Sequence, residues 1–234
     1  MSETILITGF EPFGGILGNP TMDIVAALHG SRLDNRQIVG RILPVAHDGH
    51  ALRLKSLMDE VEPTLVIGFG LDVDAHGIKL ETVAVNKADF DLPDNNGAWL
   101  RNVRLEPTGP ACRAATYPID DICAALSTAG IKAGPSSDAG RYLCNATLFH
   151  LLGLCASKPH QPICGFVHVP FSLEQLALSP TPPSGAMRRA MSLEAMIDAA
   201  RIVLRQCAQV TQLPVSHIPA MRSRDRLAAA VGFG

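Results

Sequence analysis

The stretch TLVIGFG, residues 64–70, has no polar side chain after Thr64 and therefore suits a strand buried on both faces, as the central strands of parallel sheets are. Runs of the same character recur at TILITGF (4–10), QIVGRILPV (37–45), IKLETVAVN (78–86) and ICGFVHVP (163–170). Helical patterns lie between them. NPTMDIVAALHG (19–30) offers Asn19 as a cap, Pro20 in the first turn and Gly30 as a stop. DGHALRLKSLMDEVEP (48–63) ends before Pro63, YPIDDICAALSTAG (117–130) runs to Gly130, and SLEAMIDAARIVLRQC (192–207) is the last helix. Strand and helix alternate, so the expected fold class is α/β: a single-domain α/β/α sandwich over residues 1–234, with a mostly parallel twisted sheet of phosphorylase or hydrolase type. The stretch from Lys87 to Pro118, rich in Asp, Asn, Pro and Gly, is too long for an ordinary connection and reads as a functional excursion. SPTPPSGAMRR (179–189) reads as a surface loop.

With 47% apolar residues, 234 residues can bury one large core. The net charge of −2 comes from 20 basic and 22 acidic residues, with no like-charged block beyond RSRDR (222–226), read as a solvated tail. Nucleic acid and membrane surfaces are therefore poor partners, and no apolar run reaches the roughly 20 residues needed to span a bilayer. The N-terminus has no charged-then-apolar leader, so a cytoplasmic location with reduced thiols is expected. The six cysteines, at 112, 123, 144, 155, 164 and 207, include no C-x-x-C pair, which argues against a metal. Two glycine-rich pieces lack what nucleotide binding requires. GFEPFGG (9–15) has Gly15 where a P-loop needs lysine, and GFGLDV (68–73) has Val73 where a dinucleotide fingerprint needs its third glycine. Both read as turns after strands, at the carboxyl edge of the sheet where ligand sites tend to lie.

SSDAGRYLCNATLFH (136–150) sets turn-forming residues before a helical pattern and places Cys144 four residues after a glycine. A helix starting near Arg141 puts Cys144 in its first turn, where unpaired N–H groups and the helix dipole favour a thiolate. Cys155 shares that helical face but lies about 16 Å further along the axis, so it cannot bond Cys144 and reads as packing. Asp138 is a further acid near the thiol; unless its carboxylate caps the helix, it opposes the thiolate. A cysteine nucleophile also needs a base and a group to orient it. His168, at the end of an apolar strand before Val-Pro, is a candidate base, or else a structural histidine. Glu81, between residues that look buried, is a candidate orienting acid, or else the partner of Lys79 or Lys87.

Five segments together resemble the pyroglutamyl peptidase I family of cysteine peptidases. ITGFEPFGGILGNP (7–20) is similar to its T-G-F-x-P-F-G-G…N-P opening, LETVAVN (80–86) to its E-R-V-A-x-N segment, and LPDNNG (92–97) to its P-D-N-x-G turn. SSDAGRYLCN (136–145) is similar to its S-x-x-A-G-x-[FY]-x-C-N elbow, and GFVHVPFSLEQ (165–175) to its G-F-[IV]-H-[IV]-P segment. The resemblance implies Cys144 as nucleophile, His168 as general base then acid, and Glu81 as orienter. It also implies peptides with an N-terminal pyroglutamate as substrates, no cofactor, and a homotetramer. Phe10, Phe13 and Tyr142 are expected to form the slot for the lactam ring, with Asn19, Leu71 and Leu143 as further substrate-binding residues. Two departures bear on efficiency and substrate range. Asp91 stands where the family has arginine, and LDVDAHG (71–77) replaces Gln-Ala-Gly-Gly-Arg after Gly70. Two other classes are compatible with the architecture: a nucleoside-phosphorylase-type transferase, which would depend on phosphate and not on a thiol, and a non-catalytic or altered-specificity descendant.

Overall fold

The computed structural model describes residues 3–178 and 185–210. In chain order the elements are β1 (Thr4–Phe10), α1 (Pro20–Leu28), β2 (Arg32–Leu33), β3 (Arg36–Leu43), α2 (His50–Val61), β4 (Leu65–Leu71), β5 (Ile78–Glu81) and β6 (Val83–Val85). There follow β7 (Cys112–Ala114), α3 (Ile119–Thr128), β8 (Ala133–Ser136), α4 (Leu143–Ser157), β9 (Ile163–Val169), α5 (Leu173–Leu178), α6 (Ala186–Arg189) and α7 (Leu193–Val210). The main sheet has seven strands in the order β2-β3-β1-β4-β9-β5-β8. Its centre, β3-β1-β4-β9, is parallel throughout. Only the short β2 and the β5–β9 junction are antiparallel.

Alternation along the strands sends side chains to two cores. On one face Ile5, Ile7, Ile67, Phe69, Val167 and Leu80 pack with α1, α3 and α7. On the other, Leu6, Val66 and Phe166 pack with α2, α4 and the segment from Ala84 to Phe90. This is the α/β/α sandwich the sequence implies.

Four details differ from the sequence reading. IKLETVAVN is not one strand: β5 stays in the main sheet, while β6 leaves it after Thr82 to pair with β7. The split lets Glu81 end a sheet strand while the next residues cross onto α4, where Asn145 accepts the Val85 N–H at 2.9 Å. Gly68 and Gly70 lie inside β4, as the TLVIGFG run has them, and not in the turn read over GFGLDV. A Cβ at Gly68 would lie 2.5 Å from the Phe166 ring, so its place in the strand is set by a neighbour the sequence does not show. The third difference is that Ala186–Arg189, read as loop, forms the short α6; residues 179–184 and the RSRDR segment lie outside the described residues. Fourth, the Lys87–Pro118 excursion has regular structure of its own, carrying β7 and an Ala88–Val103 bridge.

Tyr117 holds the antiparallel junction together. Its hydroxyl lies 3.1 Å from the Glu81 carbonyl and 2.9 Å from the Phe166 carbonyl, linking β5 to β9. The ring lies over Gly165, where an added Cβ would come within 2.5 Å of it. Gly165→Ala should therefore push Tyr117 out and lower stability by about 1 to 3 kcal/mol, as core overpacking does. Chemical denaturation reads this directly, and a wild-type midpoint would show that the ring is free to move.

Candidate active site

Cys144 is the second residue of α4, whose cap residue, Tyr142, is extended and whose first turn receives no side-chain cap. The leading N–H groups of that helix are therefore available to an anion. The helix begins at Leu143, two residues later than the sequence suggests. Gly70 provides the seat for the sulfur: a Cβ there would lie 2.8 Å from Cys144 Sγ. The β4–β9 register sets Gly70 beside His168, and the β5–β9 register sets Lys79 across from it. Gly70, His168, Lys79 and Glu81 thus share the sheet face that α4 covers.

His168 Nδ1 lies 2.7 Å from Glu81 Oε1, and both side chains are buried. Burial alone would depress the imidazole, but the charge and hydrogen bond of Cys144 and those of Glu81 overcome it and raise His168 to about 10. The three sequence candidates are therefore brought together. The alternative partners for Glu81 are engaged elsewhere: Lys79 Nζ lies 2.5 Å from Asp72 Oδ2, and Lys87 Nζ lies 3.4 Å from Asp89 Oδ2. Asp138 neither caps α4 nor faces the thiol uncompensated. Its Oδ1 accepts from the Gly140 N–H at 3.0 Å and from Arg141 Nη1 at 2.7 Å, within its own exposed turn.

The expected slot residues separate into layers. Phe10 and Leu143 are core, buried against Leu6 and Phe166. Asn19 is buried and caps α1, with Oδ1 accepting from the Thr21 N–H at 3.1 Å and Nδ2 donating to the Glu11 carbonyl at 3.2 Å. Phe13 and Tyr142 are partly open, with ring centroids 5.9 Å apart. Leu71 packs with Phe171, Leu176 and Ala186, and Phe13 borders that cluster. Burial, then the charges of Asp94 and Cys144, push the Tyr142 phenol up to about 12. Asp91 is exposed at the surface of the excursion. Two clefts, of about 330 and 510 Å³, are lined by other residues.

Sequence reasoning missed the residues that lock these segments together. Asn145 Oδ1 accepts from Val85 N–H, and its Nδ2 donates to the Val85 and Lys87 carbonyls, each at 2.9 Å. Glu11 Oε1 accepts from Val45 N–H at 2.9 Å and from Asn95 Nδ2 at 2.8 Å. Asp94 accepts from the N–H groups of His47, Asn96 and Ala98 at 2.7 to 2.9 Å. The available signal was polar residues inside otherwise apolar or turn motifs.

Fold and site together define an α/β/α protein with a cysteine, a histidine and a glutamate gathered at the carboxyl edge of its sheet. Residues 3–209 match the pyroglutamyl peptidase family, and the chain belongs to it. It is 36% identical over 206 residues to a pyrrolidone-carboxylate peptidase of Pyrococcus furiosus, covering 86% of this chain and 98% of that one. An Enterobacter protein of the same name is 35% identical over 206 residues, covering 88% and 95% of the two chains. Among solved structures, the pyrrolidone carboxyl peptidase of Thermococcus litoralis superposes with a TM-score of 0.84 at 33% identity, covering 89% of this chain and 94% of that one.

Gly70→Ala should displace the sulfur and lower kcat by about 10²-fold, the scale of a roughly 1 Å misplacement. A variant with wild-type kcat would show that Cys144 has another position open to it.

Proposed function

We propose that this chain is a cysteine peptidase that hydrolyses the amide bond after an N-terminal pyroglutamyl residue, using Cys144, His168 and Glu81. The observation that carries the reading is the buried 2.7 Å contact between His168 Nδ1 and Glu81 Oε1, with Cys144, at the start of α4, seated at Gly70 beside the same histidine. Family membership supports the substrate class.

With Nδ1–H held by Glu81, the other ring nitrogen, Nε2, faces the thiol. In the resting site His168 has already taken the Cys144 proton, and the thiolate sulfur attacks the pyroglutamyl carbonyl carbon. The tetrahedral oxyanion is met by N–H groups at the start of α4, the Cys144 amide among them, worth roughly 3 kcal/mol of barrier. The imidazolium then protonates the departing amine, leaving a thioester. Water, deprotonated by His168, hydrolyses it and releases pyroglutamate. Glu81 fixes the tautomer and stabilises the imidazolium.

The ring of pyroglutamate carries no ammonium, so it can lie against Phe13 and Tyr142 with Leu71 behind, needing partners only for its N–H and C=O. Prolyl and glutaminyl ends would bring a charge into that place. The altered 71–76 loop keeps the backbone near Leu71 in position through its own contacts: Asp72 Oδ1 accepts from Asp74 N–H at 2.9 Å. The same reading, by resemblance, makes the enzyme a cytoplasmic homotetramer acting without a cofactor. Among the described residues no helix is long and apolar enough to cross a membrane.

Hydrolysis of a pyroglutamyl fluorogenic amide, with and without iodoacetamide, tests the reading. Cys144→Ala should abolish turnover while Cys155→Ala retains it, since Cys155, about three turns further along α4, is buried in the core. Comparable losses would overturn the nucleophile assignment. Pyroglutamyl amides should be cleaved at least about tenfold more efficiently than prolyl amides, and equal kcat/KM would show that the 71–76 loop has changed the specificity.

The pH profile has a sign set by His168. Its pKa is raised, so the protonated form persists above the ordinary 6.5 and is lost only as pH rises towards about 10. The alkaline limb of kcat/KM should accordingly lie well above 6.5. Glu81→Gln removes one of the charges that raise it, so the limb should move to lower pH while kcat falls by about 10²-fold or more. A silent Glu81→Gln variant would remove Glu81 from the mechanism.

A further inference from the structure

Lys79 stands next to the catalytic histidine without taking part in the chemistry described above. It lies directly across from His168 on the β5–β9 ladder. It also lies two residues before Glu81 on the same face, about 7 Å along the strand, within reach of a lysine stem. Glu81 has one oxygen to offer: Oε1 is taken by His168, while Oε2 is buried and has no hydrogen-bond partner among the described residues. A free ammonium with three N–H donors would be drawn to that oxygen. There it would compete with His168 for the carboxylate and set a positive charge beside the imidazolium.

Asp72 prevents this. Its Oδ2 holds Lys79 Nζ at 2.5 Å, and it is itself fixed on both sides. Its N–H donates to the Val169 carbonyl at 2.9 Å, and its Oδ1 accepts from Asp74 N–H at 2.9 Å. The pair is half-buried, with side-chain exposures of 39% for Lys79 and 23% for Asp72, so solvent screens it only in part. Asp72 and Lys79 also feel the site electrically. Burial would raise the Asp72 carboxyl, but the Lys79 and Asp74 hydrogen bonds and the His168 charge hold it below its ordinary value. The Asp72 bond, against some burial, raises Lys79, and the Glu81 charge adds to the rise.

We propose that Asp72 is a positioning residue for the catalytic centre: by tying down Lys79 it reserves Glu81 for His168 and cancels a positive charge beside the imidazolium. The proposal rests on the triad reading above. The charged and titratable groups around His168 are Cys144 from α4, Lys79 and Glu81 from β5, and Asp72 and Asp74 from the loop after β4. Arg189 of α6 stands behind them, 3.5 Å from Asp74.

The test is the pH dependence of two independent signals, kcat/KM for a pyroglutamyl amide and the rate of Cys144 alkylation by iodoacetamide followed by peptide mass mapping. Three variants are compared with the wild type. Asp72→Asn keeps the Oδ1 acceptor for Asp74 but removes the charge, so the unpaired Lys79 should move both profiles to lower pH by about half a unit or more. Lys79→Met keeps the stem and removes the opposite charge, so both profiles should move to higher pH. The double variant should return to the wild-type position. A merely structural pair would shift neither profile in opposite directions. Profiles that stay in place, move the same way in both single variants, or fail to return in the double variant overturn the proposal. If Asp72→Asn does not fold, the upward shift of Lys79→Met alone decides. Alkylation needs no turnover, so a wild-type protein that alkylates with these shifts yet cleaves no pyroglutamyl amide would sink the activity and leave the pair's role standing.

Discussion

A buried carboxylate beside a buried imidazole is the constraint around which this molecule is arranged. Glu81 is fully buried, and such a charge is costly in an apolar interior unless a partner stands against it. His168 is that partner, and the contact requires the two strands that carry them to be neighbours with a particular register. That requirement accounts for the one long-range irregularity of the sheet, the antiparallel entry of β5 beside β9. It also accounts for Tyr117, whose hydroxyl bridges the carbonyls of those two strands from the opposite face. The two lysines nearest Glu81 in sequence are each engaged by an aspartate, so neither can replace the histidine.

Cys144 is supplied from the other layer. Helix α4 lies over the sheet face that His168 and Glu81 share, and Gly70 leaves the space into which the sulfur fits. Asn145, the next residue, uses both ends of its amide to bind the chain leaving β5. The helix that presents Cys144 and the strand that presents Glu81 are thereby locked through adjacent residues. Around the mouth, Glu11 and Asp94 join the loop after β1, the loop after β3 and the turn at 94–97. Motifs distant in sequence are thus parts of one hydrogen-bonded rim, and Tyr142 reaches it through a 3.2 Å bond to the Pro93 carbonyl.

Much of this was legible in the sequence because it is local or periodic. Four of the five apolar runs, the Asn19 cap and the placement of Cys144 at a helix start all follow from short-range rules, and the structure bears them out. What was not legible depends on partners far along the chain. Gly68 and Gly70 look like turn residues until Phe166 and Cys144 occupy the space they leave. IKLETVAVN looks like one strand until Asn145 draws its second half away. Asp138 looks like a charge opposing the thiolate until Arg141, three residues on, is seen to take it. Lys79 looks like a partner for Glu81 until the chain after β4 brings Asp72 to it. In each case local pattern gave the residue's chemistry and tertiary packing chose its partner.

The central claim is that the resting site holds a protonated His168 between Glu81 and Cys144. Nitrogen NMR of ¹⁵N-histidine-labelled protein, with His168 assigned by substitution, observes that proton directly. At pH 8, above the ordinary histidine value of about 6.5, the account predicts imidazolium shifts at both ring nitrogens of His168, lost only as pH approaches about 10. A His168 that is neutral at pH 8 and titrates near the ordinary value would contradict it.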